Sequence, residues 1–103
     1  MPSSRGVSPV VKSLVRIQNG LPVTVVNSGA TLIRSGFSSL RANTNGLTNV
    51  VWFYVNGKLA LDDRTAPFEI PASSLVNGSN DVLMISHANG LQSRANYAIT
   101  VNP

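Results

Sequence analysis

The chain has 103 residues, four of them acidic, with one histidine, no cysteine and a formal net charge of +4 at pH 7, a size that suits one compact domain with a single core. Without cysteine there is neither a disulfide framework nor a thiolate metal site, so the core must hold by packing alone. Every acidic residue lies at or after Asp62, whereas Arg5, Lys12, Arg16, Arg34, Arg41 and Lys58 all precede it; this basic half suits either an acidic partner or a surface of scattered solubilising charges.

The first twenty residues stand apart from the rest. Lys12 and Arg16 interrupt their apolar residues, so no continuous apolar stretch of an export signal forms; with Met1 as the native start, the chain is expected to lack a cleavable signal. Nowhere does the sequence offer the roughly 20 consecutive apolar residues of a membrane span, and no membrane partner is expected. Ser8-Pro9 is compatible with the start of a short helix whose apolar face is Val10, Val11, Leu14 and Val15, with Lys12 and Arg16 opposite. Leu14 to Gln18 is equally compatible with a strand turning at Asn19-Gly20 into Leu21 to Val26. The weight of Val and Ile favours an extended arm over residues 1–20, followed by a domain over 21–103.

From there on the chain is punctuated by turns. Five Asn-Gly dipeptides, at 19-20, 45-46, 56-57, 77-78 and 89-90, mark them at the spacing all-β folds use between short strands. Candidate strands run over 22–26, 30–34, 37–43, 50–56, 58–62, 68–71, 81–87 and 96–101. The firmest pair is Val50-Val51-Trp52-Phe53-Tyr54-Val55 and Lys58-Leu59-Ala60-Leu61, separated by Asn56-Gly57, which predicts an antiparallel hairpin with a type I′ turn. Seven or eight short strands with no long helical period indicate an all-β sandwich.

Four segments resemble a known family. They are Val51-Trp52-Phe53-Tyr54-Val55-Asn56-Gly57-Lys58, Asp62-Asp63-Arg64-Thr65-Ala66-Pro67-Phe68-Glu69, Leu75-Val76-Asn77-Gly78-Ser79-Asn80 and Ser86-His87-Ala88-Asn89-Gly90. Together they resemble bacterial immunoglobulin-like domains, with their V-x-F-Y-V-D-G, T-x-x-P-Y/F-E, L-x-x-G-x-N/H and A-x-D-x-x-G patterns. The likeness covers residues 50 to the end well and 22–45 loosely, leaving 1–20 outside. It implies an immunoglobulin-like β-sandwich of seven or eight strands with an N-terminal arm, and no catalytic residues. Ser86-His87-Ala88 stands where the family has A-x-D, so a cation site built on that Asp is not implied.

The resemblance also directs Val51, Phe53 and Val55 inward, with Val82, Met84 and Ser86 from the late strand. Alternation then sends Trp52, Tyr54, Leu83, Ile85 and His87 to the outer face of the same sheet, as one apolar patch. Patches of a few hundred Å² mark interaction sites. Two covers are open: the chain's own arm, laying Val10, Val11, Leu14, Val15 and Ile17 across the sheet, or a protein partner or neighbouring copy gripping the aromatics.

Chemistry is sparse elsewhere. Acid-base or nucleophilic catalysis needs convergent titratable groups, and Asp62-Asp63 beside Arg64 read as turn residues, His87 as a strand residue, and Asp81 and Glu69 as isolated. There is no P-loop, no GxGxxG and no zinc spacing; Asn77-Gly78-Ser79 matches a glycosylation acceptor but reads as a turn. No enzyme, cofactor or metal is expected. Arg5, Lys12 and Arg16 cluster without stacking aromatics, which disfavours nucleic acid. The expectation is a non-enzymatic structural protein of a virion, a decoration or accessory protein of a phage capsid or tail. Its partner would be the major capsid protein, another virion protein or itself. The binding residues expected are Val10, Val11, Lys12, Leu14, Val15, Arg16, Ile17, Trp52, Tyr54, Leu83 and Ile85. The alternative is a secreted or cell-surface adhesion module binding glycans through Trp52 and Tyr54.

Overall fold

The computed structural model describes residues 8–103; Arg5 and the remainder of the segment 1–7 lie outside the described residues. Nine strands follow one another among them: β1 (Val11–Gln18), β2 (Leu21–Val26), β3 (Ala30–Ile33), β4 (Ser39–Thr44), β5 (Val50–Val55), β6 (Lys58–Asp63), β7 (Phe68–Pro71), β8 (Gly78–Ala88) and β9 (Leu91–Asn102). One sheet has the order β2-β1-β4-β7 and the other β3-β9-β8-β5-β6. The two close on a common core as an immunoglobulin-like β-sandwich.

Three of the Asn-Gly pairs make the tight hairpins. Asn19, Asn56 and Asn89 have φ of 55°, 53° and 52°, and the glycine after each is also left-handed. That is the type I′ geometry, whose twist matches the strands it joins: β1 to β2, β5 to β6 and β8 to β9. The predicted central hairpin is therefore present, and β5 pairs with β8 so that Trp52 faces Ile85 and Tyr54 faces Leu83.

Val51, Phe53, Val82 and Met84 are fully buried, and Leu14, Leu40 and Ile70 of the other sheet meet them. Each such side chain contributes about 1.5–3 kcal/mol through removal from water. The loop from β7 to β8 is closed by the buried Asn80, whose side chain accepts from the Val76 amide and donates to the carbonyls of Val76, Gly78 and Ile99. Arg34, in a 3-10 turn after β3, donates to the carbonyls of Ala72 and Leu75 and to Asn77 Oδ1. One side chain thus ties the end of β3 to the segment after β7.

The expected division into an arm over 1–20 and a domain over 21–103 is corrected by the pairing. β1 lies between β2 and β4 inside the first sheet, and residue 20 falls within the β1–β2 turn. Between Val11 and Ser13 the register with β4 shifts by one, leaving Lys12 as an extra residue. This bulge lets Val11 and Leu14, three apart, both reach the core. A helix-like spacing is thereby produced by an extended chain, and the helical alternative is not realised.

Candidate interaction surface

The structure distributes the expected binding residues among three environments. Val11, Leu14 and Ile17 are buried, so they cannot grip a partner; as β1 residues they stabilise the fold. Nor does β1 lie across the outer patch, since it belongs to the opposite sheet. Val10 and Lys12 are exposed and Val15 is half-buried. Arg16, opposite Thr24 on β2, donates through Nε to Thr24 Oγ1 at 3.3 Å and through Nη1 to the Gly36 carbonyl.

Trp52, Tyr54, Leu83, Ile85 and His87 do share the outer face of the five-stranded sheet, as alternation required. They do not form a freely exposed patch. Ile85 is 6% exposed, Trp52, Tyr54 and Leu83 are half-buried, and the Trp52 ring stacks on His87 with centroids 4.2 Å apart and planes tilted by 53°. Register sets polar neighbours on either side: Arg94 and Asn96 of β9 stand opposite Ile85 and Leu83, and Asp62 of β6 stands opposite Trp52. Trp52 Nε1 and His87 Nε2 are enclosed without a hydrogen-bond partner among the described residues, an arrangement that costs free energy.

Four of the nine exposed large apolar side chains among the described residues gather elsewhere, the other five being scattered and including Leu59 on β6. β2 and β3 are the outer strands of their sheets on one flank, joined only by Asn27-Ser28-Gly29. Gly29, at φ +96°, takes the left-handed conformation at this sheet-to-sheet crossing. Leu21, Val23 and Val25 are 67%, 46% and 60% exposed, and Ile33 on β3 is 57% exposed. Neither strand contains a charged residue. A cleft of about 410 Å³ opens between them, lined by Thr24, Val25, Leu32, Ile33 and the Arg16 side chain.

Sequence reasoning missed this flank. A run such as Leu-Pro-Val-Thr-Val-Val reads as buried strand, and the available signal was Pro22, because proline within a strand belongs at an edge. The opposite flank is built differently. β6 carries Lys58, Asp62 and Asp63, with Asp62 paired to Arg64 at 3.0 Å; β7 is four residues long and ends in Pro71, with Glu69 paired to Arg41 at 2.6 Å.

A second, smaller hollow of about 240 Å³ lies beside His87, Leu91 and Gln92 at the β8–β9 turn. Asp63 accepts from the amides of Thr65 and Glu69 and so holds the β6–β7 connection. Among the described residues no three His, Asp or Glu side chains converge, and no helix is long and apolar enough to cross a membrane. Comparison with protein-family models, with curated proteins and with solved structures gave no match.

Proposed function

We propose that this chain is a non-enzymatic structural module that docks onto protein neighbours in a larger assembly, and that the assembly is a virion. The observation that carries the reading is the flank of Leu21, Val23, Val25 and Ile33, two uncharged edge strands with their apolar side chains in solvent. Edges of that kind invite pairing with another chain. The virion enters through the resemblance of residues 50–103 to immunoglobulin-like domains of the sort carried by phage particles. The anchor is the β2/β3 flank rather than an N-terminal arm. Carbohydrate stacking on Trp52 gains no support, because its ring is half-buried and already packed on His87.

The test is incorporation. In particles banded on a density gradient, the chain should co-migrate with the shell protein, and a Val23→Lys/Val25→Lys double variant should fold normally yet stay in the soluble fraction. Absence of the native chain from particles overturns the reading. Full incorporation of the double variant overturns the flank as the anchor.

A further inference from the structure

The open flank has a chemistry that narrows its occupant. β2 is hydrogen-bonded on one side only, to β1, so the amides and carbonyls along its other side form an unpaired ladder. A strand added there would send alternate side chains into the cleft between β2 and β3, over Leu32 and Ile33. Pro22 has no amide to donate and Val23 is the extra residue of a bulge against β1, so the added strand would pair along Thr24 to Val26.

The cleft also holds one cation and no carboxylate. Arg16 is bonded to Thr24 and Gly36 through Nε and Nη1, leaving Nη2 without a partner among the described residues. The four acidic residues of the chain are all engaged elsewhere: Asp62 with Arg64, Glu69 with Arg41, Asp63 with two backbone amides, and Asp81 with the Asn96 side chain. A second copy offering the same flank would therefore bring another Arg16 and no counter-charge. Charge complementarity selects a different protein.

From this we infer that the β2 edge takes an extended strand of a heterologous protein, apolar at alternate positions and carrying one carboxylate that pairs with Arg16. Main-chain hydrogen bonds supply the attachment, and the cleft and the guanidinium read the side chains. The inference rests on the docking reading above and assigns its partner chemistry.

The test uses the full, isotope-labelled chain and the peptide acetyl-Val-Thr-Asp-Thr-Val-Thr-amide, whose two valines and aspartate share one face of an extended strand, with an Asn-for-Asp analogue as control. At about 1 mM peptide, amide shifts should be confined to Val23–Val26 and Ala30–Ile33. The Asp peptide should bind roughly tenfold more tightly than the Asn analogue, a difference that Arg16→Gln removes. Because both peptides are compared on the same protein, any loss of stability in R16Q leaves the wild-type ratio interpretable. Equal affinities on the wild type overturn the carboxylate assignment. Shifts centred on Trp52, or no shifts, overturn the site; protection of the β2 edge by dimerisation without peptide overturns the heterologous partner. Failure here leaves the gradient experiment free to succeed, and peptide binding by a chain absent from particles overturns only the virion reading.

Discussion

The two flanks of the sandwich solve the same problem in opposite ways. Each ends in strands with one unpaired side, which is a hazard for any sheet protein. The β6/β7 flank meets it with charge and brevity: Lys58, Asp62 and Asp63 along β6, a four-residue β7 and the Arg41–Glu69 pair beside it. The β2/β3 flank has no charged residue on either strand and shows its valines to solvent. The contrast is one of charge, since β2 carries only Pro22 and a bulge at Val23 as protection, while β6 has its charges despite an exposed Leu59. What differs is the charge along the edge, and on the docking reading proposed above β2 is the side that makes contact.

That contrast breaks first if the open flank is a detachable appendage. Removing residues 8–18 takes out β1, strips β2 of its only neighbour and empties the Leu14 position, so the shortened chain should show no cooperative thermal transition by circular dichroism. The milder Leu14→Ala should cost about 3 kcal/mol in urea unfolding, the range for a leucine truncated in a tight core. A shortened chain that melts like the parent would make the flank an accessory. Next in size is the tie between the flanks. Arg34→Ala frees the Ala72 and Leu75 carbonyls and Asn77, with an expected loss of about 2 kcal/mol by chemical denaturation.

The smallest effect on stability sharpens the comparison most. Lys58→Val with Asp62→Val removes two of the three charges of β6 and leaves Asp63 to hold the β6–β7 connection; unfolding free energy should change by no more than about 0.5 kcal/mol. Sedimentation velocity should nevertheless reveal new self-association through the exposed edge. If the variant remains as monodisperse as the parent, charge is not what keeps β6 unpaired.

The hairpin at the centre of the molecule was legible from local rules, since Val51, Phe53 and Val55 alternate with Trp52 and Tyr54 ahead of an Asn-Gly turn; which face turns inward and the pairing with Leu83 and Ile85 came from the resemblance to immunoglobulin-like domains. Exposure of the outer face was not legible, because it depends on the polar side chains of β9 and β6 that register brings alongside. β1 was ambiguous for a different reason. The bulge at Lys12 breaks the period of two, and Val11, Leu14 and Ile17 are all buried at intervals of three, which no alternation rule recognises. The Asn80 of the L-x-x-G-x-N pattern acquires its physical meaning only in three dimensions, where it bonds both its own loop and Ile99 of β9.

The parallel pairing of β3 with β9 joins Ala30–Ile33 to Ile99–Asn102, roughly 70 positions apart. During synthesis, then, the second sheet lacks its last ladder until residue 102 has emerged, and β3 waits unmatched until that point. Topologies dominated by such distant partners fold in milliseconds to seconds rather than microseconds. Throughout that interval the uncharged β2 and β3 segments are available to any nascent neighbour, so production of this protein is expected to be limited by dilution and chaperone supply more than by the equilibrium strength of its core.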